Sequence, residues 1–358
     1  MSKKTHYIAM DVHCQFVEGG WTDQAGNELG SFYCPTSIPE LLAWVEKVPR
    51  PRVLAIEEGP LADWLARNLS PAVDKLICCD PYRNALIARE GDKDDPIDWR
   101  KLAGLLRGGY LKAVHHPQSL SRSLFKQRVQ LYHDRVRKRV REAMRVIWSL
   151  RRFGVVVAEK DFADELSRAD LLARLPAEPS LAEDLQLLWA GYDLAAEQVT
   201  TMRRRLVESS KAQEQIRRFT EIPGVGWVRA ATFMAFVDTP WRFRSKQALW
   251  KYCGIGLERR GSGNGPKLLR LPQRFNRPLK SVLLGAAKSA VAAGNNPFAD
   301  LYQRWLHDGC SPRVARRNTA RALAAVMWGM FKSGNAYEPK LVGRLPKELE
   351  LTGSPTNR

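Results

Sequence analysis

Arg52-Val53-Leu54-Ala55-Ile56-Glu57-Glu58-Gly59 reads as a strand buried on both faces that stops abruptly on acid. An unbroken apolar run bounded by Pro51 and Gly59 is the pattern of a parallel, covered strand. The stretch Tyr7-Ile8-Ala9-Met10-Asp11-Val12 repeats it, again ending on a carboxylate. Between the two, residues 17–22 and 31–34 read as strands joined by the turn Gln24-Ala25-Gly26-Asn27, and residues 39–48 have the periodicity of a helix. Beyond Gly59 a helix is expected over 61–69, a strand over 75–80 and a further helix over 81–88.

In an open α/β sheet, ligands gather at the carboxyl ends of the strands. Asp11 and Glu57 therefore point to a site, and Asp92-Lys93-Asp94-Asp95-Pro96-Ile97-Asp98-Trp99-Arg100 supplies more acid at the start of an apolar helical pattern. Asp95 and Asp98, three apart, share one helix face, where two carboxylates repel unless a cation lies between them. Each feature has a plainer account, an acidic helix start or a turn at a strand end. As a set of four, Asp11, Glu57, Asp95 and Asp98 could hold two Mg²⁺ ions and activate an oxygen nucleophile for phosphodiester transfer. Glu58 competes for the second place, and Glu57 is preferred because it directly continues the apolar strand. The order β-β-β-α-β-α-β-α is similar to that of ribonuclease H-like folds.

Lys and Arg number 57 against 38 Asp and Glu, a net charge of +19 that points to a polyanionic partner, nucleic acid first. The 44% hydrophobic content is enough for real cores and excludes wholesale disorder. No apolar run reaches membrane-spanning length, and Met1-Ser2-Lys3-Lys4-Thr5-His6 lacks a signal-peptide core, so a cytoplasmic protein with no membrane partner is expected. Cys14, Cys34, Cys78, Cys79, Cys253 and Cys310 form no C-x-x-C pair and no regular His spacing, so their spacing gives no zinc motif.

Residues 118–153 read as one long basic helix. Val129, Tyr132, Val136, Val140, Ala143, Ile147 and Leu150 form its apolar stripe. Its other faces carry Arg135, Lys138, Arg139 and Arg145 among many cations, opposed only by Asp134 and Glu142, which suits phosphate binding better than a plain solvated face. A second stripe from Leu181 through Leu185, Leu188, Tyr192, Ala195, Val199 and Met202 to Leu206 has coiled-coil spacing. The two helices either pair as an antiparallel arm or use the stripe for self-association.

Ile222-Pro223-Gly224-Val225-Gly226 then reads as a turn at a helix start, where Gly224 and Gly226 would let backbone N–H groups approach a phosphate as in helix-hairpin-helix DNA binders. Trp241-Arg242-Phe243-Arg244 interleaves base with aromatic. In the loop over 254–266, Ser262 stands between Gly261 and Gly263, with Arg259, Arg260, Lys267 and Arg270 available for a phosphate. No His lies nearby, so metal activation is the available route to a serine nucleophile. A basic helix around Arg313, Arg316, Arg317 and Arg321 follows. Domains are expected over 1–117, 118–215 (the helical arm) and 216–340, with a disordered tail over 341–358.

Together these pieces resemble the DEDD transposases of bacterial insertion sequences, recombinases guided by a structured bridge RNA. Ala9-Met10-Asp11-Val12, Ile56-Glu57-Glu58-Gly59, Asp95-Pro96-Ile97-Asp98-Trp99-Arg100, Ile222-Pro223-Gly224-Val225-Gly226, the Ser262-Gly263 loop with Asn276-Arg277-Pro278-Leu279, and Asn296-Pro297-Phe298 carry the likeness in that order. The resemblance implies a RuvC-like N-terminal domain, a coiled-coil arm and a mostly helical C-terminal domain. It also implies Mg²⁺ on Asp11, Glu57, Asp95 and Asp98, and attack by Ser262 on DNA to give a covalent phosphoserine. Expected partners are donor and target double-stranded DNA, the guide RNA, and further copies of the chain in a dimer or tetramer with joined sites. The chain departs from the family pattern at Trp99, where alanine is usual, and in the doubled Glu57-Glu58. A Holliday-junction resolvase-like nuclease using water, and a non-catalytic nucleic-acid-binding protein, are the alternatives.

Overall fold

The computed structural model describes residues 4–82, 95–117, 119–260 and 268–342, with backbone alone for 95–97, 260, 268 and 341. All but the first two residues of the helix expected over 81–88, the acids Asp92 and Asp94, and nearly all of the expected tail lie outside them. Chain contacts gather into two units, Met1–Leu124 and Phe125–Arg358.

The first unit is built on a five-stranded sheet: β1 (His6–Val12), β2 (Phe16–Thr22), β3 (Glu28–Pro35), β4 (Arg52–Glu57) and β5 (Lys75–Cys79) in the order β3-β2-β1-β4-β5. β1, β2 and β3 form an antiparallel meander, whereas β4 runs parallel to both β1 and β5. Period-two alternation divides the side chains between two cores. Ile8, Met10, Leu54, Ile56 and Cys78 face α1 (Ile38–Lys47) and α2 (Ala62–Leu69), through Leu41, Val45, Leu65 and Leu69. Ala9, Ala55 and Cys79 face α3 (Asp95–Arg107), through Trp99, Leu102, Ala103 and Leu106.

Trp99 sets the position of α3. It is fully buried, and a Cβ built on Gly20 would lie 2.3 Å from its ring, so glycine in β2 is what admits the indole. The bulk that departs from the family pattern is accommodated by Gly20. Further along α3, Arg100 donates to Glu28 (2.8 Å) and Arg107 donates to the Ala25 carbonyl (3.0 Å), beside the β2–β3 turn. The helix therefore runs antiparallel to β1, its N-terminus toward the carboxyl end of that strand.

In the second unit α4 (Leu120–Arg151, begun in the first unit) and α6 (Pro179–Lys211) lie antiparallel, with α5 (Glu165–Ala173) between them in sequence. The direction is fixed by Arg135 donating to Gln198 (3.2 Å) while Gly191 meets Glu142. Ala143, Val146, Ile147 and Leu150 pack with Leu185, Trp189 and Tyr192 around Phe162 and Leu171. Val140, expected in the stripe, is instead exposed. At the other end of the pair, Val129 and Leu206 join the core of α7 (Glu214–Thr220), α8 (Trp227–Val237), α9 (Lys246–Tyr252), α10 (Arg277–Ala293), α11 (Pro297–His307) and α12 (Pro312–Ser333). β6 (Glu258–Arg260) and β7 (Leu268–Arg270), which pair antiparallel and form a hairpin through residues outside the described set, lie between α9 and α10 in sequence. Among the described residues no helix is long and apolar enough to cross a membrane.

Two outcomes follow. Trp99→Ala should cost about 3–5 kcal/mol in urea unfolding of the first unit, and Gly20→Ala should also destabilise it, because the added methyl meets the indole. His133 hydrogen-bonds Thr232 (2.9 Å), and burial, with Arg137 nearby, pushes its imidazole down to about 4. The unfolded chain takes up that proton below pH ~6.5 and the folded chain only near 4, so this stability is present above 6.5 and lost as pH falls toward 4. Denaturant melts should lose roughly 2–3 kcal/mol between pH 7.5 and 4.5 from this group, and His133→Asn should flatten that dependence.

Candidate active site and nucleic-acid interface

The last register pair of β1 and β4 is Met10↔Ile56, so Asp11 and Glu57 follow side by side at the carboxyl ends of adjacent parallel strands. Both share the parity of Ala9 and Ala55, the face covered by α3. Trp99 packs at Gly20, which pairs with Ala9. Going back four helical residues from Trp99 to Asp95 advances about 6 Å, and going forward two strand residues from Ala9 to Asp11 advances about 7 Å. The N-terminus of α3 is thus level with Asp11, and Asp98, half-buried, lies one position before Trp99. The side chain of Asp95 lies outside the described residues.

Glu58 has the opposite parity. Its carboxylate receives the Cys78 thiol (3.2 Å) and lies 2.6 Å from His116 Nε2, on the α2 face. Sequence alone could not separate Glu57 from Glu58; the pleat gives them opposite parity. The α3 face also holds an acid that sequence reading missed. Glu18 is the cross-strand partner of Asp11, and directly opposed residues share a face. Its only signal was the period-two alternation of β2, which needs the register to be read. His13 lies 3.0 Å from Asp11, and Arg100, held by Glu28, is the nearby cation that feels Glu18. Oxygen donors at these strand ends are of the kind that suits a hard divalent cation, but among the described residues no three of Asp11, Glu18, Glu57 and Asp98 lie within 4.8 Å of one another.

In the second unit Ser262 and Lys267 lie outside the described residues, as does the Arg260 side chain. They belong to the connection of the β6–β7 hairpin, whose strands pair Arg259↔Leu269 and Glu258↔Arg270 and leave Arg259 and Arg270 exposed. The base of this hairpin is tightly held. Gly254, at φ +69°, lies against Phe275, and the Ile255 carbonyl accepts from Arg321 Nε (2.6 Å). The Asn276 side chain caps α10 by accepting from Leu279 N–H (2.9 Å) and donates to Tyr252 (3.2 Å). Arg321, expected on a basic helix face, is therefore a buried bracket, which also hydrogen-bonds Asn318.

Gly224, at φ +80°, would place a Cβ 2.3 Å from the Ala286 carbonyl, so its backbone is committed to close packing on α10. Gly226 at the start of α8 is open on that side. Within Trp241-Arg242-Phe243-Arg244, Phe243 is buried and Arg242 donates to the Phe236 carbonyl (3.0 Å) while stacking on Tyr252, so Trp241 and Arg244 are the exposed members. On α4, Arg135 pairs with Asp134 (2.6 Å), Arg139 with Glu159 (3.4 Å) and Arg145 with Glu142 (3.0 Å), while Lys138 is half-buried. Arg145 is exposed, whereas Arg135 and Arg139 are half-buried in their pairs.

Sequence reading also missed Lys280. It stacks over Phe275 at the hairpin base (4.3 Å), and burial together with Arg317 and Arg313 holds its ammonium below the usual lysine range. Arg317, half-buried, is lowered by burial and Arg313 in the same way. Among the described residues these three cations form no ion pair with one another's neighbours in α10 or α12, an arrangement that an anion would relieve. Replacing Lys280 and Arg317 with Gln should weaken DNA binding and reduce the slope of log affinity against log salt by about 0.9 per lost contact, measured by fluorescence anisotropy across a salt series.

Residues 216–303, from α7 into α11, match the model of the Transposase IS116/IS110/IS902 family. A putative transposase (y4pF/y4sB) of Sinorhizobium fredii is 25% identical over 308 residues, covering 83% of this chain and 77% of its own. The transposase for insertion sequence element IS1111A of Coxiella burnetii is 24% identical over 197 residues, 52% of this chain and 53% of its own. An insertion element IS116 uncharacterized 44.8 kDa protein of Streptomyces clavuligerus is 25% identical over 136 residues, 38% of this chain and 34% of its own. Over the matched segment, and by the names of these relatives, the chain is similar to insertion-sequence transposases of the IS116/IS110/IS902 family.

Proposed function

We propose that the chain cuts and rejoins DNA as an insertion-sequence transposase, with Asp11, Glu57, Asp95 and Asp98 as metal ligands and Ser262 as nucleophile. The observation that carries this reading is the convergence of Asp11 and Glu57 on one sheet face at the N-terminus of α3, in a chain whose second unit matches a transposase family. Strand order β3-β2-β1-β4-β5, with its antiparallel meander beside parallel strands, supports a ribonuclease H-like, RuvC-like first domain. The antiparallel α4–α6 pair supports the reading of an arm packed as a coiled coil.

Bound Mg²⁺, two per site, would supply charge stabilisation at the attacking and leaving oxygens. The carboxylates position that charge, and Glu57 is preferred to Glu58 because it shares the parity of Ala55 on the face of Asp11. Ser262 Oγ forms a bond to phosphorus as a DNA P–O bond breaks, and the leaving DNA oxygen takes up a proton. The resulting ester conserves the phosphodiester energy, so a DNA hydroxyl can later displace serine on a new partner. Arg259, Arg260, Lys267 and Arg270 flank that phosphate. Guide RNA binds the cations of α4, and joining of the acidic unit of one copy to the serine loop of another accounts for a dimer or tetramer.

The test is incubation of the full chain with guide RNA and end-labelled DNA in Mg²⁺, followed by a denaturing gel. A protease-sensitive shifted band is expected, absent in Ser262→Ala, Asp11→Ala and Glu57→Gln and retained in Glu58→Gln. Cleavage undiminished in Ser262→Ala, with no such band, would instead favour a resolvase-like nuclease using water.

A further inference from the structure

The face of β4 opposite Glu57 holds a second cluster of unlike chemistry. Cys78 Sγ, His116 Nε2 and a Glu58 carboxylate oxygen lie within 4.8 Å of one another. Cys78 is buried on β5, His116 lies on the segment that follows the bridge between Ala113 and Cys79, and Glu58 ends β4. Beside them opens a cleft of about 340 Å³, lined by Cys78, His115, His116 and Arg67 among others. The other ring nitrogen of His116, Nδ1, is buried without a hydrogen bond, 3.5 Å from Asp63 Oδ1. Asp63 is itself fixed by Arg67, which also donates to Ser123 (2.7 Å).

We propose that Cys78, His116 and Glu58 bind a zinc-class divalent cation, with water from the cleft as fourth ligand. One sulfur, one imidazole nitrogen and one carboxylate oxygen form a mixed donor set of the type that zinc takes in tetrahedral sites. With metal–ligand distances of about 2.1 Å, tetrahedral geometry separates nitrogen from oxygen by roughly 3.4 Å. The observed 2.6 Å between His116 and Glu58 therefore has to open by less than about 1 Å, a movement available to the exposed Glu58 side chain. Asp63 stands where a carboxylate orients a metal-bound imidazole through its other nitrogen.

Before metal arrives, burial and Glu58 hold the Cys78 thiol well above its ordinary range, so it is protonated. On binding, the thiol proton passes to solvent and the thiolate takes its place on the cation, leaving the charge of the cluster balanced. The site ties β4, β5 and the 113–117 segment together at the strand end that also carries Glu57. It would be chemically distinct from the oxygen-only face, so one strand end would carry a soft-metal site and a hard-metal site back to back. The inference does not depend on the transposase reading.

The test uses the full chain, stripped with a chelator and titrated with Co²⁺ as spectroscopic probe, with Zn²⁺ content measured by elemental analysis after dialysis. One equivalent per chain with a thiolate-to-cobalt charge-transfer band is expected. The band should vanish in Cys78→Ser, weaken at least ~10-fold in affinity in Asp63→Asn, and persist in Cys79→Ser, whose thiol is on the other face, and in Asp11→Ala. His116→Gln should abolish one-equivalent binding and serves in place of Cys78→Ser if that variant does not fold. No cobalt bound, cobalt bound without the band, or a band that survives Cys78→Ser or His116→Gln would overturn the proposal and leave Glu58 hydrogen-bonded to His116 beside Asp63.

Discussion

The seating of Trp99 on Gly20 is the contact on which the first unit's geometry depends. A helix laid across a sheet can slide, and small residues alone do not stop it. One fully buried indole received by a strand position without a side chain does, because close packing leaves it no second place to go. The ion pair of Arg100 with Glu28 and the hydrogen bond of Arg107 to the β2–β3 turn then fix the helix direction. With height and direction set, the acidic start of α3 is delivered to the strand ends that carry Asp11 and Glu57.

Much of this was legible in the sequence. The strand through Tyr7–Val12 and the helix expected over 61–69 stand within a residue of where periodicity puts them, because an apolar run stopping on acid, and a helical pattern between Gly59 and Pro71, leave little choice. Glu18 was not legible, since a lone acid in Val17-Glu18-Gly19-Gly20 gains meaning only from its partner Asp11. The Cys78 and His116 cluster was hidden for the opposite reason: no spacing rule joins residues that meet through the parallel pairing of β4 and β5. On α4 the count of cations was right, but Glu159 and Gln198, which engage Arg139 and Arg135, come from other segments. Arg321 shows the limit of reading charge as surface, because its guanidinium satisfies a buried carbonyl.

In the second unit the base of the β6–β7 pair is tightly held. Gly254 beneath Phe275, the Asn276 cap and the Arg321 bracket hold both ends of the β6–β7 hairpin to α9, α10 and α12. Lys280, Arg313 and Arg317 add positive charge around that base. A nucleophile carried on such a hairpin would inherit its position from helices, and the charge that attracts the phosphate would be part of the same scaffold.

The doubled Glu57-Glu58 has a consequence for how this chain tolerates change. Because β4 is packed on both faces, its register is strongly specified, and a slip of one residue would exchange the two acids between faces. In a slip that brings Glu58 beside Asp11, Glu57 would take the buried place of Ile56, opposite Cys78. A single-residue deletion in the 48–52 approach to β4 would thus keep a carboxylate beside Asp11 while burying a charge and the wrong apolar side chains. Two adjacent glutamates make the chemistry at this strand end less sensitive to register than the packing is, so the cores, and not the acids, keep β4 in step.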